Sequence, residues 1–343
     1  MSVLATRSLN WKLWVGLAIS AVFIYVALRE VSLAEVWAVI RSADFLPLGG
    51  VIIITFLQYV IRAWRWKILL EPIKNTLFLN RLHAVLIGFA ANCVLPARLG
   101  EFIRANYLGH SENISGSSSF ATLIVERLFD GFTLLLILFI GLWGTTFSEE
   151  FLPIAGSLRA TGTILLIAYI LLIVLLVGFK YRTKPFLTLL ERLLFFLPKG
   201  LRARTIDIVR NFSLGLVLIK DPGRWTQAVI YSLLLWFTSL YQIQLVERAV
   251  GFNLPSIAPF LVLAMASLGV MIPSAPGFIG TFHLSVQYAF VFYGIDKEAA
   301  LSAAILWHAA LFFPTVFLGL LSFLHLHIPY SRLAGRTLVP NKE

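Results

Sequence analysis

Asn92-Cys93-Val94-Leu95-Pro96-Ala97-Arg98-Leu99-Gly100-Glu101 interrupts an apolar run that began at His83. Pro273-Ser274-Ala275-Pro276-Gly277-Phe278-Ile279-Gly280-Thr281-Phe282-His283 interrupts another that began at Ile257. A helix needs about 20 apolar residues to cross about 30 Å of hydrocarbon, and both runs fall short of that. Proline ends a helix and glycine permits a tight turn, so each stretch reads as the tip of a helical hairpin that enters the membrane and turns back. Irregular backbone at membrane depth survives only where protein or a water-filled cavity satisfies it. Both tips are therefore expected to line a polar cavity, with Pro96, Gly100, Pro273, Pro276, Gly277, Gly280 and His283 shaping it. Helix N-termini beyond the breaks would turn positive dipole ends inward, which suits an anion. If each short run crosses instead, the chain has eight or more full spans and the hairpin argument weakens.

Working outward, the chain has 343 residues, 59% hydrophobic and 13% charged. Soluble domains carry about a quarter charged residues, so this is an integral membrane protein. Apolar runs at 13–28, 45–61, 119–144, 161–179, 225–246 and 299–326 read as spans. With the two hairpins they give an all-α polytopic membrane protein of about six full spans plus two re-entrant helical hairpins. The order span, span, hairpin, span occurs twice, in residues 1–145 and 160–328. The second copy is upside down, an inverted-repeat arrangement within a single transmembrane domain, 1–343; such a fold suits a transporter. The first run lacks a cleavage signature and reads as an uncleaved anchor. Bases concentrate between Lys180 and Arg224, opposed only by Glu191, Asp207 and Asp221. That segment, 180–224, is expected on the cytoplasmic side, with amphipathic helices around Phe186–Leu194 and Ile208–Leu216. Both termini are then cytoplasmic, in the inner (cytoplasmic) membrane, and the 145–160 loop external. The net charge of +11 is first a topology signal, and nucleic-acid binding is not expected. One cysteine, Cys93, excludes an internal disulfide and multi-Cys metal motifs; no metal, cofactor or catalytic residue is expected.

Charged residues beside the hairpins are the candidate site. Arg98, Glu101 and Arg104 recur at three-residue spacing on a helix, where Glu101 can pair with either base, and arginine's planar fork matches a phosphate. Glu126, Arg127 and Asp130 lie inside an otherwise apolar run, where unpaired charge is costly and charged residues are functional candidates. Counted along that helix alone, two carboxylates and one base leave a spare acid, suited to proton coupling; the alternative is a structural network. Arg62 and Arg65, with Lys67 and two tryptophans, could hold a lipid phosphate or merely anchor a helix end. Asn92 completes the set. His83, His283 and His308 show no ligand spacing, and only His283 stands out.

Arg62-x-x-Arg65-Trp66, Asn92-x-x-Leu-Pro-x-Arg-x-Gly-Glu-x-x-Arg104, Glu126-Arg-x-x-Asp130 and Pro273-x-x-Pro-Gly-x-x-Gly280 together resemble the lysylphosphatidylglycerol synthase transmembrane, or flippase-like, family. The resemblance covers nearly the whole chain. It implies a membrane domain that handles anionic or glycosylated lipids. No aminoacyltransferase domain follows the last span, so lysyl transfer is not expected. Thr281-Phe282-His283 departs from an acid carried by many members, although histidine also carries protons.

The leading expectation is a lipid translocase moving an anionic phospholipid or phosphate-linked glycolipid between leaflets, without chemistry and without a Walker motif. The alternative is the membrane subunit of a glycosyl or aminoacyl transferase system, working with a lipid-modifying enzyme partner. A third class is an assembly protein whose charges serve packing alone.

Overall fold

A computed structural model describes residues 2–95, 98–147, 149–198, 200–202, 205–206 and 221–326. Pro96, Lys199 and the segment around Ile208, Phe212 and Leu216 lie outside the described residues. Helices make up the fold, and no strand is found among the described residues. Ser32 and Asp44 accept backbone N–H bonds from Glu35 and Leu46 and so cap α2 (Leu33–Ser42) and α3 (Phe45–Leu70), satisfying donors that a helix start leaves free. Asp221 caps α9 (Pro222–Ala249) in the same way, with Pro222 at its first turn.

The remaining helices are α1 (Ser2–Leu28), α4 (Phe78–Val94), α5 (Gly100–Glu112), α6 (Gly116–Gly144), α7 (Leu152–Tyr181), α8 (Thr183–Leu193), α10 (Ala258–Met271), α11 (Thr281–Val291) and α12 (Lys297–His325). Among the described residues, four helices, α3, α7, α9 and α12, are long and apolar enough to cross a membrane. Residues 14–28 of α1 and α2 make a fifth candidate if taken as one span, bent by 83°. The connector between residues 28 and 45, which carries Arg29, Glu30, Glu35, Arg41 and Asp44, thus contains a helix. Helix α6 is not among these four. Its uncharged part after Asp130 runs from Gly131 to Gly144, about 21 Å at 1.5 Å per residue, so its charged half needs cover from protein. Helix α8 has no buried residue and is strongly amphipathic.

The two interrupted runs are helix–break–helix pairs, α4 with α5 and α10 with α11, and the arms of each pair pack on each other. Exchanging α3 with α9, α4 with α10, α5 with α11 and α6 with α12 carries the packing pattern onto itself. Helix α4 lies against α12 as α10 lies against α6, and α3 packs on α9. Glycine permits the close approach in the first pair. A Cβ on Gly100 would collide with the Gly88 carbonyl and the Asn92 side chain. Two apolar clusters fill the two ends of the bundle, one around Val51, Ile243 and Phe290, the other around Trp66, Leu108 and Leu123.

Candidate functional site

Arg62 and Arg65 are three residues apart on α3 and so point about 60° apart around its axis. That angle sends them to different environments. Arg65 turns to α6, where Nη1 and Nη2 donate to the two oxygens of Asp130 at 2.5 and 3.1 Å and Nη2 lies 3.2 Å from Glu126. From α5, Arg104 grips Glu126 with both nitrogens at 2.9 and 3.0 Å, and its guanidinium stacks 3.9 Å from the Trp66 ring centroid. Arg127 donates to Glu126 at 2.9 Å and lies 3.6 Å from Asp130 and from Glu101. Arg65, Arg104 and Glu126 are at most 1% exposed.

Three arginines, Arg65, Arg104 and Arg127, therefore face three carboxylates, Glu101, Glu126 and Asp130. The spare acid expected from α6 alone is not found, because α3 and α5 each add a base that its sequence does not contain. Glu101 meets Arg127 and not Arg98 or Arg104, since Arg104 is turned toward α6. In a low-dielectric interior such a matched cluster is stable only when its fork geometry is satisfied, as it is here at Glu126 and Asp130.

Arg62 is outside this cluster. Its guanidinium lies 4.7 Å from the Phe89 ring centroid and has no hydrogen bond or ion pair among the described residues. It borders a cavity of about 190 Å³. Most of its wall is apolar, from Phe89, Val270, Phe282, Leu311 and Phe312, so the polar cavity expected at the tips is met only in part, by Thr55, Gln58, Tyr59, His308 and Thr315; Cys93 and Phe278 bring the two breaks to its wall. Tyr59 and Thr315 share a short hydrogen bond.

The tips meet there. Arg98 has a left-handed backbone, φ 52°, and Phe278 has φ 58°. The Arg98 guanidinium donates to the Val270 carbonyl at the end of α10 and lies 5.7 Å from the Phe278 ring centroid. Asn92 accepts the Gly100 N–H at 2.8 Å, which satisfies a donor at the start of α5. Gly277, at φ 78°, has its missing Cβ position 3.7 Å from the Cys93 carbonyl. Ser20 of α1 accepts the Ala275 N–H at 2.8 Å and pins the second tip.

A family model described as the lysylphosphatidylglycerol synthase transmembrane region matches residues 13–319. The chain belongs to this family. It is a multi-pass integral membrane protein. A UPF0104 membrane protein of Pyrococcus horikoshii is 27% identical over 289 residues, 79% of this chain and 85% of that protein. A second UPF0104 membrane protein, from Methanothermobacter thermautotrophicus, is 22% identical over 279 residues, 79% of this chain and 82% of that one. The glycosyltransferase AglD of Haloferax volcanii is 21% identical over 339 residues, 91% of this chain but 54% of that protein.

In this member of the family, the sequence motifs mark both tips and the charged helix, but they do not assign partners. They also pass over Thr55, Gln58, Tyr59, His308 and Thr315. A signal for the tips was present: Pro96-Ala-Arg-Leu-Gly100-Glu-Phe102 parallels Pro276-Gly-Phe-Ile-Gly280-Thr-Phe282, which sets Arg98 opposite Phe278.

Proposed function

We propose that this protein is a translocase that moves an anionic phospholipid or a phosphate-linked glycolipid between leaflets of the cytoplasmic membrane, performing no chemistry itself. Arg62 carries this reading: among the described residues it is a cation with no carboxylate in ion-pair contact, set at the edge of a mostly apolar cavity at the meeting point of two broken helices. Arg62 is half-buried; a guanidinium partly withdrawn from water favours an anionic partner, and its fork matches a phosphate. The self-matching packing of α3–α6 and α9–α12 supports an inverted repeat, in which the two tips re-enter from opposite faces and meet near the midplane. Termini on the cytoplasmic side and the 145–160 loop outside follow from the base distribution. A second hollow of about 1100 Å³ lies between α4, α5 and α12, walled by Phe102, Phe120, Leu320 and Phe323. It would take acyl chains while the head group occupies the smaller cavity.

A second reading is a membrane subunit that presents lipid to a glycosyl or aminoacyl transferase. The AglD resemblance favours it, because nearly all of this chain matches little more than half of that protein. Purified protein in phosphatidylcholine liposomes, with tail-labelled phosphatidylglycerol and an impermeant quencher, separates the two. Translocation predicts that protein accelerates loss of the inner-leaflet signal, whereas the subunit reading predicts the protein-free rate.

A further inference from the structure

His283 of α11 and His308 of α12 meet, with His283 Nε2 3.2 Å from His308 Nδ1. The backbone N–H of Gly280 points at His283 Nδ1 at 3.4 Å. A backbone N–H can only donate, and this fixes the hydrogens of the neutral pair. Nδ1 of His283 is bare, its Nε2–H donates to Nδ1 of His308, and His308 keeps its hydrogen on Nε2. His308 also borders the cavity that Arg62 borders.

A proton reaching the pair finds two bare nitrogens. Taking it on His308 Nδ1 breaks the ring-to-ring bond. Taking it on His283 Nδ1 gives up the long Gly280 bond and sets two N–H groups facing each other at 3.4 Å, but it leaves the ring-to-ring bond in place, now charge-assisted. What opposes the proton is charge. His283 is the third residue of α11, at the positive end of that helix, and Arg62 adds a cation to the cavity wall. An anion in the cavity reverses that balance.

We propose that the His283–His308 pair is a proton-binding site filled when an anionic head group enters the cavity beside Arg62, so that one proton and one lipid travel together. The proposal rests on the translocase reading and names the co-carried ion. The surrounding helices offer few competing groups. From α3 come Tyr59, already bonded to Thr315, and Arg62; from α4 comes Cys93. Arg98 stands over Phe278 in the adjoining tip. Helix α10 has no titratable side chain from Ala258 to Met271. Helix α1 approaches Gly280 through Ser20, Phe23 and Ile24, α2 reaches α12 at Ser302, and no titratable residue of α9 lines the cavity among the described residues.

The test is titration of the purified full chain, in phosphatidylcholine nanodiscs and weak buffer, with short-chain phosphatidylglycerol across about pH 5 to 8. Where the empty pair is neutral, wild type should take up as much as about one proton per lipid and bind about tenfold tighter for each unit fall in pH. His283→Gln and His308→Gln, each checked for folding by thermal melting, should flatten that slope. Wild-type binding with no proton uptake and no slope overturns the proton site and leaves the translocase reading standing. So does a slope that persists in both variants. A wild type that binds no phosphatidylglycerol at any pH overturns the anionic-phospholipid form of the translocase reading, and the proton site with it.

Discussion

Arg98 and Phe278 hold matching positions in the two tips, both with left-handed backbone, and the guanidinium of one lies 5.7 Å from the ring centroid of the other. A non-glycine residue with positive φ costs about 1–3 kcal/mol and persists only where its surroundings over-determine it. Each tip supplies the other's surroundings: Arg98 also binds the Val270 carbonyl, and Gly277 abuts the end of α4. The tips are thus two halves of one contact, and the cavity beside Arg62 exists where they close.

If the tips touch in the membrane, Arg98→Ala and Phe278→Leu should not be additive. A double-mutant cycle read by thermal or denaturant unfolding should give a coupling of about 0.5–1 kcal/mol, the range for an exposed cation–π pair. Zero coupling would mean that the tips act independently.

Glu126 and Asp130 should differ in what neutralisation does. Glu126→Gln leaves Arg104 without its carboxylate at a fully buried position, a loss of about 3–5 kcal/mol, so folded yield should collapse. Asp130→Asn should cost less, because Arg65 keeps Glu126 and the Ser232 hydroxyl at 3.0 Å. Size-exclusion profiles of the two variants at equal expression read the order. Equal yields would contradict the network described here.

Gly100→Ala should destabilise by about 1–3 kcal/mol, since its methyl would collide with the Gly88 carbonyl and Asn92 across the first hairpin. Gly156→Ala, with nothing within 4 Å of its Cβ position, is the control and should be neutral or slightly stabilising. Melting temperatures of both variants decide; a harmless Gly100→Ala would show that α4 and α5 are further apart.

What the sequence made legible was local. Gly100, Pro273 and Gly277 are punctuation read in place, and the apolar run from Ile257 matches α10 closely, whereas α4 begins at Phe78, five residues before the start of its apolar run at His83. Charged Glu126 and Asp130 within an apolar run likewise advertise themselves. Partner choice was not legible, because it depends on how helices distant in sequence are placed. Three-residue spacing suggests that Glu101 serves Arg98 or Arg104, yet Arg104 faces Glu126 and Glu101 meets Arg127. The same limit hid the His283–His308 contact, two residues on different helices that share no spacing motif. Helix α2 was passed over for a different reason: five charges in its neighbourhood masked a Ser32-capped helix whose Val36 is buried.

Arg62 bears the central claim. Phosphatidylglycerol exchange between leaflets, followed with tail-labelled lipid in liposomes holding equal amounts of folded wild type and Arg62→Gln, tests it most directly. With no ion pair or hydrogen bond among the described residues to lose, only the contact with the Phe89 ring, Arg62→Gln should fold with close to wild-type yield and melting temperature. It should nonetheless fall to the protein-free exchange rate, while wild type exceeds it. An Arg62→Gln protein that exchanges phosphatidylglycerol as fast as wild type would contradict the account.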